Sequence, residues 1–152
     1  MRIKILAVGR AAGTPEAALV SEYLKRLPWQ ADIREIEVKG RLKAAERGRR
    51  ENDLLIKAIP SDARLVVLDE GGNRLTSAEF AKTIDRWRQQ AINTLAFMIG
   101  GADGLNETVK MRADAVISLS DMTLPHLMAR AVLAEQIYRA YTILENHPYH
   151  RA

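Results

Sequence analysis

Short apolar runs alternate with helical patterns along the whole 152-residue chain, and this alternation restricts the fold more than any other feature. Five runs have the strand pattern: 3–8, 33–38, 65–68, 95–99 and 115–119. Each is followed by residues with helical spacing or by a helix-start signal. Such alternation indicates an α/β fold with a parallel or mostly parallel sheet and helices on both faces. At this length we expect a single domain spanning residues 1–152.

Local capping signals mark several helix starts. Thr14 precedes Pro15 and Glu16, the sequence of an N-cap, a first-turn proline and a first-turn acid. Residues 76–79, Thr-Ser-Ala-Glu, form a capping box. Pro125 fits the first turn of the last helix, where its missing N–H costs nothing. We therefore expect helices to begin at these three places, with further helices at 42–59 and 107–112.

The last helix, over residues 127–144, has apolar side chains around most of its circumference. A helix that is apolar nearly all round is buried on more than one side. One side faces the core of the domain. A second copy of the protein is one interpretation of the other side. The alternative is a central core helix, and the pattern alone leaves both open.

Composition excludes several classes of site. The chain has no cysteine, which excludes disulfides, thiolate metal ligands and a cysteine nucleophile. Two of its three histidines stand near the C-terminus, which argues against a dedicated zinc site, and no metal is predicted. The first apolar run is too short for a signal peptide, and none approaches the roughly 20 residues that cross a membrane. We expect a cytoplasmic protein with no membrane partner.

The net charge of +4 and the pI near 9.6 are mildly basic, and the charges are unevenly distributed. Six basic residues stand within residues 39–50 against Glu46 alone: Lys39, Arg41, Lys43, Arg47, Arg49 and Arg50. A second group comprises Lys82, Arg86 and Arg88. A solvated helix face and a contact with nucleic-acid phosphate are both compatible with each group.

Ligands of open α/β sheets bind outside the carboxyl ends of the strands. Three loops of this sequence qualify: 68–72, 99–105 and 119–125. Gly100, Gly101 and Gly104 permit positive φ and close approach of a ligand, although an ordinary tight turn would also use them. The phosphate-binding loop, the dinucleotide fingerprint and the nucleophile elbow are all missing. Phosphoryl transfer, NAD binding and a hydrolase triad are therefore disfavoured.

Five motifs in order resemble those of one family. They are Leu-Asp-Glu-Gly-Gly at 68–72, Ile-Gly-Gly-Ala-Asp-Gly-Leu at 99–105, Leu-Ser-Asp-Met-Thr-Leu-Pro-His at 119–126, Ala-Glu-Gln-Ile-Tyr-Arg-Ala at 134–140 and His-Pro-Tyr-His-Arg at 147–151. The sequence resembles the RlmH family of the SPOUT superfamily, the 23S rRNA pseudouridine N3-methyltransferases. The resemblance runs from end to end and is weakest over residues 39–59.

The resemblance implies a deep trefoil knot in the C-terminal half, with S-adenosyl-L-methionine bound in it. It also implies a homodimer in which the last helix is a main contact. The target would be a hairpin of 23S rRNA near the decoding region of the assembled ribosome. Carried onto this chain, the cofactor-binding residues are Leu68, Gly100, Gly101, Gly104, Leu119, Ser120, Asp121, Met122, Thr123, Leu124 and Pro125.

The C-terminal tail, residues 146–152, would complete the active site. Because N3 of a pseudouridine carries a proton at neutral pH, a base or an anion-stabilising group is required. The candidates are His147, Tyr149, His150 and Arg151, acting on the partner's cofactor, and a histidine has a suitable pKa. For His126 we expect a capping or packing role. The alternative functions are a catalytically silent RNA- or ribosome-binding module and a SPOUT methyltransferase with another RNA target.

Overall fold

A computed structural model of the protein describes residues 1–150, and five strands form its one sheet. The strands are β1 Arg2–Val8, β2 Gln30–Ile36, β3 Ala63–Arg74, β4 Thr94–Ile99 and β5 Ala115–Ser118. The helices are α1 Pro15–Arg26, α2 Ala44–Ala58, α3 Ser77–Gln89, α4 Glu107–Met111 and α5 His126–Leu144, followed by a 3-10 helix at Pro148–His150. The predicted alternation of strands and helices is confirmed.

The strand order is β2-β1-β4-β3-β5, and every neighbouring pair is parallel. In the centre of the sheet, Ile5 stands opposite Ile33 on one side and Phe97 on the other. The prediction of a mostly parallel sheet is confirmed, and the sheet is in fact entirely parallel. All five carboxyl ends therefore lie along one edge, which we call the carboxyl edge.

The sheet separates two cores because successive side chains of a strand point to opposite faces. Ile3 and Ile5 belong to a core that contains Ile84 of α3 and Ile137 of α5. Leu6 and Val8 belong to the other core, shared with Leu55 of α2 and Val109 of α4. Helices thus cover both faces, as the sequence predicts. The continuous apolar runs of β1 and β4 follow from this double coverage.

Helix α5 is surrounded mainly by its own chain. Ala131 and Ala134 pack on Val20 of α1, and Ser77 at the start of α3 donates a hydrogen bond to Gln136 at 2.7 Å. Leu133, Ala134, Ile137 and Ala140 are fully buried. The sheet, α1 and α3 therefore account for most of the apolar circumference. The apolar pattern by itself does not require a second copy of the protein.

Strand β3 is longer than the sequence indicates. Residues 69–72, predicted as a loop, lie within β3, which pairs with β5 again after an irregularity between Leu68 and Asn73. Both residues stand opposite Ile117. A Cβ at Gly72 would lie 2.6 Å from the carbonyl carbon of Ile117, so only glycine fits there. The glycine pair signals close approach between two strands and not a turn.

Several other element boundaries differ from the predictions by one to three residues. Strand β2 begins at Gln30, three residues before the predicted start at 33. It ends at Ile36, two residues before the predicted end at 38. Pro125 stands at the cap position, with φ −55° and ψ 143°, and α5 begins at His126. The predicted caps of α1 and α3 are confirmed, since the Thr14 hydroxyl accepts from Ala17 N–H and Thr76 and Glu79 form the full capping box.

Candidate functional site

A cavity of about 460 Å³ opens at the carboxyl edge, where β3, β4 and β5 end. This volume is within the range of small-molecule sites. Nine of the predicted cofactor-binding residues line it: Leu68, Gly100, Gly101, Gly104, Leu119, Ser120, Met122, Thr123 and Leu124. The structure does not place Asp121 or Pro125 in the lining. The Asp121 carboxylate pairs with Arg74, and Pro125 caps α5.

The lining also contains charged groups that the sequence reasoning missed. Asp69, Glu70, Asp103 and Lys110 all line the cavity. Lys110 and Asp69 form an ion pair at 2.8 Å in its wall. Asp69 lies in a quoted motif and could have been found there. Lys110 could not, because it comes from α4 and no local pattern distinguishes it.

This ion pair is fixed in its charged form. Burial alone would raise the pKa of the Asp69 carboxyl, but hydrogen bonds from Lys110 and from the Gly71 N–H outweigh it, and the pKa is lowered. The hydrogen bond to Asp69 raises the pKa of Lys110 against the opposing effect of burial. Both groups therefore keep their charges at neutral pH. The wall presents a cation and an anion side by side.

The loop after β4 is shaped by glycine. Gly104 N–H donates to Gly101 O at 3.0 Å, and Gly104 has φ +71°. A Cβ at Gly100 would lie 2.8 Å from the carbonyl carbon of Gly104. A Cβ at Gly101 would point away toward β1 and α2, 2.9 Å from Val8 Cγ1 and 3.4 Å from Glu51 Oε2. The loop is thus a tight turn that packs against β1 and α2. Its backbone faces the cavity.

The loop before α5 is held by serine side chains. Ser118 Oγ donates to Ser120 O at 2.9 Å, and Met122 N–H donates to Ser120 Oγ at 2.9 Å. His126 follows at the start of α5, is exposed, and lines the cavity. Its Nε2 lies 3.8 Å from the position that a Cβ at Gly9 would take, so the side chain also approaches the end of β1. The expectation that His126 caps or packs stays a prediction.

Arg130, one turn further along α5, ties this helix to the end of β1. Its side chain is 1% exposed and donates to the carbonyls of Val8 and Gly9, the latter at 2.9 Å. It also pairs with Glu35 at 3.0 Å. Burial lowers the pKa of Arg130, and Glu35 opposes that effect. This buried cation fixes the first turns of α5, and therefore His126, relative to the carboxyl edge.

The tail packs on the surface formed by α1 and α5. Tyr149 OH donates to Glu135 Oε1 at 3.0 Å and lies 3.3 Å from the Tyr23 hydroxyl. Its ring meets Tyr138 edge-on at 4.8 Å between centroids, and the Arg139 guanidinium lies 5.2 Å from its centroid. Burial, followed by the hydrogen bonds with Tyr23 and Glu135, raises the pKa of Tyr149. The phenol therefore keeps its proton at neutral pH.

The two tail histidines differ in their hydrogen bonds. His147 Nδ1 accepts the Tyr149 N–H at 3.2 Å. His150 Nδ1 is buried and has no partner among residues 1–150. Neither ring lines the cavity of its own chain. Glu135, which holds Tyr149, lies six residues beyond the lining residue Ala129, which is about 9 Å along the helix. Arg151, the fourth predicted catalytic residue, lies outside the described residues.

Metal-binding groups and membrane-spanning helices are both absent from residues 1–150. No three His, Asp or Glu side chains in this part of the chain converge as a group that could hold a metal ion. None of its helices has both the length and the apolarity that crossing a membrane requires.

Comparison with known proteins identifies the family. The family described as "Predicted SPOUT methyltransferase" matches residues 1–150. A protein of Rhodospirillum centenum named ribosomal RNA large subunit methyltransferase H is 49% identical over 152 residues, which is the full length of both chains. A protein of the same name from Acidiphilium cryptum is 46% identical over 151 residues, covering 99% of this chain and 94% of the relative.

A solved structure shares the fold at much lower identity. It is a probable methylase family protein from Haemophilus influenzae Rd KW20, 13% identical, with a TM-score of 0.56 over 99% of this chain and 70% of that one. This likeness concerns the fold alone. The family match and the full-length relatives carry the assignment, and they agree with the five motifs. The chain therefore belongs to the SPOUT methyltransferases and, among them, to the RlmH family.

Proposed function

We propose that the protein methylates N3 of a pseudouridine in 23S rRNA, with S-adenosyl-L-methionine as methyl donor. The target would be the hairpin near the decoding region of the assembled ribosome, in the cytoplasm. The observation that carries the proposal is the cavity at the carboxyl edge. It is built from three segments that the family motifs contain, on a chain with full-length relatives named as large-subunit rRNA methyltransferases.

The cavity residues fit this cofactor. When bound, S-adenosylmethionine supplies a methyl group activated by a sulfonium cation. The acidic residues Asp69, Glu70 and Asp103 suit its cationic groups and its ribose hydroxyls, whereas Lys110 and His126 suit its carboxylate. The glycine turn at 100–104 offers backbone donors and acceptors that can hydrogen-bond an adenine.

Residues 1–152 would form a single domain whose C-terminal half is tied into a deep trefoil knot. Two features support this arrangement. The segments 68–72, 99–105 and 119–125 all contribute to one cavity, although they are far apart in sequence. In addition, β3 returns to β5 through its extended end at Asn73 and Arg74.

A homodimer would let the tail of one chain complete the cavity of the other. The tail lies about 9 Å along α5 from its own cavity, on the side of Tyr23, and it does not reach the lining. Met122 and Met128, next to the cavity, are 79% and 40% exposed. Exposed apolar side chains flanking the mouth support a second copy at this place.

Among the tail groups, His150 is the best-supported base. The N3–H proton has to leave as the new N–C bond forms, because N3 is protonated at neutral pH. Tyr149 keeps its own proton, and His147 Nδ1 is occupied by a backbone N–H. His150 Nδ1 has no hydrogen-bond partner among the described residues, so its role is not taken by another contact of the same chain. Arg151 would stabilise the negative charge that develops on the uracil ring of the target pseudouridine.

A methyl-transfer assay tests the proposed function. Ribosomes from a strain lacking the gene are incubated with the protein and S-adenosylmethionine carrying a labelled methyl group, with naked 23S rRNA as the control. We expect label in 23S rRNA of intact ribosomes and little in naked RNA. Ribosome binding without label would identify a catalytically silent module. Label in another RNA would identify a SPOUT methyltransferase with a different target.

A further inference from the structure

The segment of residues 39–50, here called the basic segment, carries the excess positive charge of the chain. It contains six basic residues and one acidic residue, whereas the other 140 residues contain 17 basic and 18 acidic ones. A concentrated patch of Lys and Arg attracts the phosphates of a nucleic acid, and each contact releases counterions. Whether this segment could contact an RNA bound at the cavity depends on where it lies in the fold.

The topology puts the basic segment at the carboxyl edge. Strand β2 ends at Ile36, which stands opposite Val8 and accepts a hydrogen bond from Gly9 N–H at 2.8 Å. The chain then runs through the segment into α2, which returns across the sheet toward the start of β3 at Ala63. The first turns of α2 and the loop before them are consequently at the same edge as the cavity.

Specific contacts attach α2 to the glycine loop of the cavity. Asn52 is 4% exposed, and its side chain accepts the Asn106 N–H at 3.0 Å and donates to Gly48 O at 2.6 Å. The carboxylate of its neighbour Glu51 lies 3.4 Å from the position that a Cβ at Gly101 would take. Burial raises the pKa of Glu51, the charge of Arg47 opposes this, and that of Asp103 adds to it. The basic segment is thus held at a fixed position beside the cavity mouth.

Most of the basic side chains in the segment are available. Arg47 donates to Gly40 O at 3.0 Å and Arg50 pairs with Glu46 at 2.8 Å. The other four are exposed and have no ion pair or side-chain hydrogen bond with residues 1–150: Lys39, Arg41, Lys43 and Arg49. These four cations are therefore free to contact phosphates.

The second basic group does not share this position. Helix α3 starts near the carboxyl edge and runs away from it, so Arg86 and Arg88 lie by the opposite edge, shortly before β4. Arg88 is also engaged, because it pairs with Glu145 at 3.6 Å and lies 5.8 Å from the Trp29 ring centroid. This group offers a control of similar charge at the wrong place.

We propose that the basic segment is a phosphate-contact surface that holds the RNA backbone beside the cavity mouth, with Arg41 and Lys43 as central contacts. The inference rests on the proposed function, because it identifies the part of the RNA that the same site would bind. It predicts that these residues determine affinity and its salt dependence. It also predicts that they leave cofactor binding unchanged, since none of them lines the cavity.

Two double variants test the surface: Arg41→Ala with Lys43→Ala, and the control Lys82→Ala with Arg86→Ala. Each removes one exposed arginine and one exposed lysine. Binding to 70S ribosomes and to a generic RNA hairpin is measured across a KCl series, and S-adenosylmethionine binding reports the integrity of the fold. Two lost phosphate contacts should reduce the slope of log K against log salt by about 1.4–1.8 and weaken binding at 0.1 M salt about 10- to 50-fold. The control pair should change affinity less than about twofold.

The outcomes separate the surface from the proposed function. An unchanged slope in the Arg41 and Lys43 pair, or equal losses in both pairs, would overturn the surface. Exchange of the two residues, Arg41→Lys with Lys43→Arg, keeps both charges and should retain the slope. The hairpin series does not depend on the methylation target, because phosphate contacts are independent of sequence. If no rRNA is methylated but the hairpin slope still falls, the proposed function fails and the surface stands.

Discussion

Gly72 gives the sharpest prediction about how the cavity is built. It lies where β3 meets β5 for the second time, and an added Cβ would come within 2.6, 2.7 and 2.8 Å of the carbonyl carbon, nitrogen and Cα of Ile117. These are backbone atoms of a residue that is 6% exposed, in a short strand next to the cavity. They cannot rotate away as the end of a side chain could. We therefore expect Gly72→Ala to separate the two strands.

The magnitude follows from two opposing effects. Replacing glycine by alanine reduces the entropy of the unfolded chain and gains about 0.4–1 kcal/mol where the backbone is compatible. Overpacking of a well-packed site costs about 1–3 kcal/mol, and a clash with backbone is at the upper end. The net expectation is a loss of about 2 kcal/mol in the free energy of unfolding. For a chain of this size that lowers Tm by about 4–8 °C.

Gly48 is the matched control, because a Cβ there meets nothing within 4 Å and the residue lies inside α2. Gly48→Ala should raise the free energy of unfolding by about 0.5–1 kcal/mol. Urea denaturation of the three proteins measures both differences. The reasoning is refuted if Gly72→Ala is as stable as the unaltered protein, or if Gly48→Ala is the more damaging change. S-adenosylmethionine affinity should fall in Gly72→Ala and stay unchanged in Gly48→Ala.

Three further predictions concern the site. His150→Ala should spare cofactor binding and lower the methyl-transfer rate about 10²- to 10⁴-fold. The control His147→Ala should lower the rate much less. Equal methyl-transfer rates for the two variants would show that His150 is not the general base. Lys110→Ala should raise the pKa of Asp69, which loses its cation, and weaken cofactor binding about tenfold, measured by calorimetry at two pH values. Tyr149 has a raised pKa and stays protonated, so Tyr149→Phe should leave the shape of the pH–rate profile unchanged between about pH 6 and 9.

The fold could be predicted because its signals are local and agree with one another. Continuous apolar runs such as 95–99 read as strands buried on both faces, and β4 is buried at all six of its residues. The helix caps at Thr14 and Thr76 depend on side chains within one turn. A strand-and-helix alternation with such caps permits few topologies. The order of strands in the sheet could not be obtained this way, because it depends on contacts between distant segments.

The end of β3 shows where local reasoning fails. A glycine pair normally indicates a turn, since glycine adopts conformations that other residues avoid. Here Gly72 is required by the proximity of Ile117, about 45 residues further along the chain. No pattern within the segment reveals that partner. The same limit hid Lys110 and Ala129, which enter the cavity wall from helices that the loop motifs do not include.

Helix α5 carries a related lesson about burial. Its apolar circumference was compatible with a dimer or with a central core helix, and the chain itself supplies most of the cover through α1, α3 and the sheet. An apolar circumference therefore shows that a helix is buried on several sides, but not whether its own chain or a second copy covers it. The tail is the opposite case. It has no apolar pattern, yet Tyr149 is anchored by Glu135 and Tyr23, because the bonding partners lie on other elements.

Mass mapping of the 23S rRNA from a strain lacking the gene tests the central claim most directly. The account predicts that one pseudouridine near the decoding region loses the mass of its methyl group. Expression of the unaltered protein should restore the 3-methylpseudouridine, and expression of the Gly72→Ala variant should restore less of it. Persistence of the 3-methylpseudouridine in the strain lacking the gene would contradict the assigned reaction.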